Sequence, residues 1–467
     1  MVVMRRESSV QEEGEDHVVV IPYPGQGHIN PLLQFAKRLA SKGLKATMAT
    51  TPYAIKAITA HNVAVELISD GFDEGGFAEA SSVKAYLDSF ESAGSRTLTE
   101  LIKKYENTEC PITCVVYDSF LVWALDVAKQ NGVCAAAFFT NSAAICSIFC
   151  YIHHGMLKVP IETEDLPVKI GGVAELGRDD LPTFLGTPGA YPAYLSMKVN
   201  QYNNLSKTDW VLCNSFQALE DEEVKAASEL WPAKLIGPMI PSSYLDGRIK
   251  GDKGYGASLW KPLCEPCMNW LESKVSESVI YVSFGSMVSL SIKQMEEVAW
   301  GLKNCGWSFM WVVRESEQSK LPNEFLDSIQ EDKGLVVSWC NQLEVLAHES
   351  IGCFVTHCGW NSTTEGLALG VPMVGMPMWA DQSTNAKYIE DVWRVGIRAK
   401  EDESGVVGRE EIERCVGEVM EGERSEEIRR NARKVRKLSR EAMSEGGSSD
   451  KNIDEFVGQL MSARNKK

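Results

Sequence analysis

Short apolar runs recur along this chain, and each is followed by a segment with helical spacing. HVVVIPYP precedes NPLLQFAKRLASKG, in which Leu32, Phe35, Ala36, Leu39 and Ala40 make one apolar stripe. Asn30 is placed to cap that helix, Pro31 suits its first turn and Gly43 ends it. LKATMAT returns as a strand, and ITCVVYDSF, WALDVAKQNG and CAAAFFT repeat the unit. Strands that are apolar on both faces belong in a parallel sheet covered by helices on either side. Between Pro241 and Pro262 the composition turns to Gly, Ser and charge, as in a linker or surface loop. A second series then begins: SVIYVSFGS, FMWVVRE, GLVVSWC, CFVTHCG and VPMVGMPMW. The pattern predicts an α/β protein of two doubly wound parallel-sheet domains facing each other. The expected divisions are a solvated tail over 1–16, an N-terminal domain over 17–245, a linker over 246–262 and a C-terminal domain over 263–445. A last helix over 446–467 is expected to pack back on the N-terminal domain.

Ligands of open parallel sheets lie at the carboxyl ends of the strands, near the point where strand order reverses. The residues at those ends are informative. HVVVIPYP is followed by Gly25, Gly27 and His28, and ITCVVY by Asp118. SVIYVSFG leads to Ser286, GLVVS to Trp339, and CFVT to His357 and GWNSTTEGLALG. VPMVGMP leads to Trp379, Asp381 and Gln382.

Each position has two readings. His28 and Asp118 are either a base with its orienting carboxylate, suited to deprotonating a hydroxyl, or a cap and a backbone contact. GWNSTTEG is either a helix N-terminus open to phosphate, or a capping box with Ser362 as cap and Glu365 three residues on. It lacks the G-K-[ST] ending of a Walker loop. Trp339 either stacks on a flat base or fills the core. Asp381 and Gln382 offer the mixed donors and acceptors that sugar hydroxyls need, or simply form a polar loop.

Composition excludes other classes. A net charge of −17 repels a nucleic-acid backbone. No run is long enough for a membrane span, and the opening residues lack the apolar stretch of a secretory signal, so a cytosolic protein is expected. The thirteen cysteines read as small buried residues. Cys264 and Cys267 form one C-x-x-C without a second pair, and no D-x-D occurs, so no metal is expected.

The stretch from Trp339 to Gln382, WCNQLEVLAHESIGCFVTHCGWNSTTEGLALGVPMVGMPMWADQ, resembles the signature box of plant secondary-product glycosyltransferases, the UDP-sugar-dependent family 1 enzymes. PGQGHINP, YDSF, YVSFGS and CMNWLESK agree with it. DLPTF and SDGFDEGGF point to the branch that includes salicylate, indole-acetate, thiohydroximate and terpenoid or steroid glucosyltransferases. The resemblance implies two facing Rossmann-like domains, the B-type glycosyltransferase fold.

It also implies roles. Trp339 would stack on uracil, the Cys340 backbone would read its edge, and Gln342 and Glu365 would meet the ribose. Ser286, His357, Asn361 and Ser362, with the backbone at Gly359 and Trp360, would hold the diphosphate. Trp360, Asp381 and Gln382 would hold the sugar, with Gly27 and Thr140 nearby, and Gln382 is the residue usually found with UDP-glucose preference. His28 would be the base and Asp118 its partner. The box usually reads W-x-P-Q, and here Asn341 replaces the proline, which loosens a turn beside the uracil site.

The expectation is an inverting glucosyl transfer from UDP-glucose to a small apolar plant metabolite, a terpenoid, steroid or phenolic, without cofactor or metal. The acceptor pocket is expected from Phe120, Phe138, Phe139, Phe149 and Met287, in a protein that is a monomer. The alternative is a catalytically silent small-molecule-binding protein on the same fold. A nicotinamide dehydrogenase is disfavoured, because PGQGHIN lacks the third glycine and no acidic residue closes LKATMATT.

Overall fold

A computed structural model of the chain describes residues 16–464 apart from 57, 59–61, 188 and 259. Most of the expected tail lies outside the described residues. Asp16, assigned to that tail, is instead buried at the foot of the first strand, where its carbonyl accepts the Lys45 N–H at 2.9 Å.

The first sheet contains β1 (His17–Ile21), β2 (Lys45–Thr50), β3 (Ala64–Leu67), β4 (Ile112–Asp118), β5 (Cys134–Phe139), β6 (Trp210–Cys213) and β7 (Lys234–Leu235). Its order is β3-β2-β1-β4-β5-β6-β7, parallel throughout. The second contains β8 (Val279–Ser283), β9 (Ser308–Val312), β10 (Gly334–Val337), β11 (Ile351–Thr356), β12 (Met373–Gly375) and β13 (Gly396–Arg398). Its order is β10-β9-β8-β11-β12-β13, again all parallel. Strand order therefore reverses between β1 and β4 in one sheet and between β8 and β11 in the other. Both sheets are cores in their own right: Val18–Ile21 and Val279–Val282 are fully or almost fully buried, as strands covered on both faces must be.

The last helix, Ser448–Arg464, lies on the N-terminal domain. Phe456 packs against Phe35 and Trp210 with ring centroids 5.9 and 5.4 Å away, and the Ser449 hydroxyl donates to the Gly237 carbonyl at 2.6 Å.

In the segment 246–262 two acidic residues turn inward. Asp246 is held bidentately by Arg38 at 2.6 and 2.8 Å, and Asp252 accepts from Lys37 at 2.8 Å. Both carboxylates are buried in ion pairs with the first helix, α1 (Gln26–Ser41), while Arg248, Lys250, Lys253 and Lys261 stay exposed.

Candidate active site

The carboxyl ends of the two sheets face one cavity of ≈ 670 Å³, walled by both domains and by residues 254–258, 260 and 262. Because β1 and β4 are neighbours in register, Ile21 beside Tyr117, whatever follows each strand emerges at adjacent points. α1 begins at Gln26, four residues before the expected Asn30 cap. Gly25 is its N-cap, and the Gly25 carbonyl accepts from His28 and Ile29 N–H at 2.9 Å each. His28 thus stands on the first helical turn, a rigid mount. Its Nδ1 is 2.6 Å from Asp118 Oδ2, and Asp118 Oδ1 accepts the Phe120 N–H at 3.1 Å. Asp118 is fully buried, whereas His28 keeps 21% of its side-chain surface and lines the cavity. A carboxylate on Nδ1 fixes the proton there and leaves Nε2 as the basic nitrogen. Thr140 Oγ1 lies 3.3 Å from the same Nδ1.

Pro31 falls inside α1, not in its first turn, and this has a structural effect. Lacking an N–H, it leaves the Gly27 carbonyl without its helical partner. Asn361 Nδ2, from the opposite domain, donates to that carbonyl at 2.8 Å. The helix break thereby becomes a bridge across the cleft.

On the facing side, Ser286 follows β8 and His357 follows β11, the two strands that flank the reversal of the second sheet. The imidazole of His357 is packed between two glycines. A Cβ on Gly285, whose φ is +70°, would lie 2.7 Å from His357 Cε1, and one on Gly359 would lie 2.5 Å from Nε2. Burial pulls the His357 pKa down to about 4, so it acts as a neutral hydrogen-bonding ring. Next comes the helix Trp360–Leu369, with Gly359 as its N-cap. This corrects the capping-box reading, since Ser362 sits inside the first turn and its hydroxyl accepts from Gln342 Nε2 at 3.0 Å. The first turn of this helix can still offer amides to an anion, in a dipole that favours it. Arg314, which sequence reading missed, donates from Nη1 and Nη2 to the carbonyls of Ser286 and Val288 and so shapes that loop. Its one signal was the basic residue after the apolar run of FMWVVRE.

Trp339 and Cys340 follow β10. The Trp339 ring lies 4.7 Å from that of Trp260, a residue of the pinned segment. Cys340 is buried, its sulfur 3.3 Å from the Tyr281 hydroxyl, which leaves backbone as its face to a ligand. Asn341 precedes the short helix Gln342–Leu346. Gln342 Nε2 donates to Glu365 Oε2 at 2.7 Å and Tyr255 Oη donates to Glu365 Oε1 at 2.8 Å. Burial pushes the Glu365 carboxyl up to about 7.

At the third end, Gln382 Oε1 accepts the N–H groups of Met378 and Trp379 at 2.9 Å each, which turns its amide nitrogen outward as a donor. Asp381 Oδ2 accepts from Asn385 at 2.8 Å. Trp360 lines the cavity, but its indole N–H donates to the Asn214 carbonyl at 2.9 Å and the ring is buried, which leaves the backbone amide to meet a ligand.

The apolar residues divide. Phe120, whose ring is 5.0 Å from that of His28, and Met287, 71% exposed, line the cavity. Phe138, Phe139 and Phe149 do not. Phe138 and Phe139 are fully buried, against Phe35 and Trp231, because consecutive residues of a strand covered on both faces both enter core, and Phe149 is fully buried on the helix Ala143–His153. The wall is built by Tyr23, Phe77, Tyr86, Phe184, Tyr194 and Met197. Tyr23 follows β1 and was passed over, whereas the others stand in helical connecting segments that a strand-end rule does not reach. Among the described residues there is no cluster of His, Cys, Asp or Glu that could hold a metal ion, and no helix is long and apolar enough to cross a membrane.

Comparison with known proteins agrees with this geometry. Residues 219–439 match the family described as UDP-glucoronosyl and UDP-glucosyl transferase, and residues 15–67 match the glycosyltransferase N-terminal domain. UDP-glycosyltransferase 74B1 of Arabidopsis thaliana is 50% identical over 453 residues, which cover 95% of this chain and 97% of that protein. Mogroside I-E synthase of Siraitia grosvenorii is 45% identical over 455 residues, 96% of this chain and 99% of that one. The structure of Os79 from O. sativa in complex with UDP superposes with a TM-score of 0.90 at 42% identity, covering 95% of this chain and 100% of that chain. With the two facing parallel sheets, these likenesses establish the B-type glycosyltransferase fold, and the chain belongs to the plant family 1 UDP-glycosyltransferases.

Proposed function

We propose that the protein transfers glucose from UDP-glucose to a hydroxyl or carboxyl of a small apolar plant metabolite, with inversion at the anomeric carbon. The observation that carries this reading is the His28–Asp118 pair, set across the cleft from the helix N-terminus at Gly359. In the reaction, His28 Nε2 takes the proton of the acceptor hydroxyl as its oxygen attacks C1 of the sugar. The bond from C1 to the β-phosphate oxygen breaks, and UDP departs with that electron pair. Attack from the His28 side, opposite the diphosphate, gives a β-glucoside.

Charge gathering on the leaving diphosphate is met by the first-turn amides of the helix Trp360–Leu369, the Ser286 loop and the neutral His357. These groups make a metal unnecessary. Glu365 and Gln342 hold the ribose, Trp339 stacks on uracil, and Asp381 with the Gln382 amide holds the sugar hydroxyls. The cleft of ≈ 670 Å³ has to hold UDP-glucose as well as the acceptor, and the aromatic wall of its N-terminal side suits an apolar acceptor.

The test is incubation with UDP-glucose and a panel of phenolic acids, flavonoids, triterpenoids and steroids. Products are read by mass, and by the anomeric proton coupling in NMR. A single added hexosyl group in β configuration is expected. An α-glucoside would refute the inverting pathway, and absence of UDP release with every acceptor would favour a silent binding protein.

A further inference from the structure

The helix Pro192–Asn200 presents Lys198 to the cavity wall, although the residue is only 7% exposed. Its Nζ donates to Asn141 Oδ1 at 2.5 Å and lies 4.8 Å from the centroid of the Phe120 ring. That ring in turn stands beside His28. Asp381, from the sugar end, and Asp118, behind the base, both act on the ammonium through space. Through Phe120 it stands on the His28 side of the cavity. Neither carboxylate touches it: Asp118 is engaged by His28 and Asp381 by Asn385. Among the described residues Lys198 makes no ion pair, and the loss of hydration depresses its pKa. An ammonium stripped of water and held by one amide and aromatic faces is costly to keep, and the deficit is met by an anion entering from the cavity.

We propose that Lys198 determines acceptor specificity by binding the reacting carboxylate of an acidic acceptor on an apolar skeleton. The proposal rests on the glucosyl-transfer reading above. A carboxylate oxygen paired with Nζ attacks C1 while the bond to the diphosphate breaks. The product is a glucose ester, and no proton is transferred, so the step balances without His28. A carboxylate binds Lys198 through charge-assisted hydrogen bonds, whereas an alcohol leaves the ammonium unpaired.

The experiment compares acids with their alcohols on one skeleton, cinnamate with cinnamyl alcohol and 1-naphthoate with 1-naphthylmethanol. The wild type, Lys198→Met and Lys198→Arg are assayed by UDP release, and UDP affinity is measured in parallel. The wild type should prefer the acid of at least one pair. In K198M the acid-to-alcohol ratio of kcat/KM should fall about 30-fold, chiefly through KM of the acid, with UDP affinity unchanged. K198R should recover most of the ratio. A wild type that prefers both alcohols, or turns over none of the four, overturns the proposal. So does a K198M variant that loses acid and alcohol activity equally. Failure of the underlying transfer reading looks different, since no acceptor of the wider panel would then release UDP from any variant.

Discussion

Replacing Asp118 with asparagine removes a negative charge from beside the base while keeping its size. In the wild type, the imidazolium that forms as the hydroxyl loses its proton faces a carboxylate 2.6 Å from Nδ1, on a residue with no solvent exposure. With the charge centres about 4 Å apart and an effective dielectric constant of about 20, the attraction is about 4 kcal/mol. His28 is partly open to solvent, which trims the value, so Asp118→Asn should lower kcat by about 100- to 1000-fold for a hydroxyl acceptor. With its oxygen on the Phe120 N–H, the asparagine turns its NH2 to His28 Nδ1, which favours the proton on Nε2 and adds to the loss, so that fall in kcat is a lower bound. The size is kept, and the melting temperature and the KM for UDP-glucose should change little. The assay is steady-state UDP release with a hydroxyl acceptor, run beside a carboxylate acceptor that is already ionised near neutral pH. The carboxylate reaction should lose less than about tenfold, because no base has to become charged. A loss of under tenfold on the hydroxyl acceptor would refute the electrostatic role, and an equal loss on both would refute the division between them.

Other outcomes follow from the same geometry. Glu365 titrates at about 7, so the empty site is largely protonated below that pH, and ribose hydroxyls need the ionised form as acceptor. UDP-glucose affinity should therefore rise with pH through 7 and release protons on binding, and calorimetry on Glu365→Gln should find that dependence gone. Trp339→Ala should raise the Kd for UDP by about 10- to 100-fold if the indole stacks on the base, measured by titration calorimetry. Gly285→Ala places a Cβ at φ +70° and against His357, and should destabilise the fold by about 1–3 kcal/mol in denaturant titration while weakening UDP binding.

The strand runs and their carboxyl ends were legible because fully buried parallel strands leave an unmistakable apolar record, and adjacency at the order reversal follows from topology. That is why His28 and Asp118, or Ser286 and His357, could be named before their contacts were known. Helix starts were harder. Glycines at 25 and 359 cap with backbone alone, so Asn30 and Ser362, the better side-chain caps, drew the boundary too late. The acceptor wall was not legible, since Phe138 and Phe149 carry the same apolar signal as Phe120, and only tertiary packing distinguishes them. Over 246–262 the charge did mark exposed residues at Arg248, Lys250 and Lys253, but composition alone could not show that Asp246 and Asp252 turn inward to Arg38 and Lys37.

The chain passes between its domains twice, once through the segment after β7 and once where the helix Ser425–Met443 gives way to Ser448–Arg464. Arg248 ties the two passages together, donating to Asp246 on one and Asp450 on the other at 2.6 Å each, with Arg38 and Lys42 of the first domain closing the knot. The domains also meet away from this knot, where the Trp360 indole donates to the Asn214 carbonyl, Tyr388 Oη to Glu223 and Thr384 Oγ1 to the Asp180 carbonyl. Any parting of the domains to load a nucleotide sugar or discharge a glucoside has to break those bonds while the knot holds. The Asn361 bridge to Gly27 is one more contact such a motion must lift.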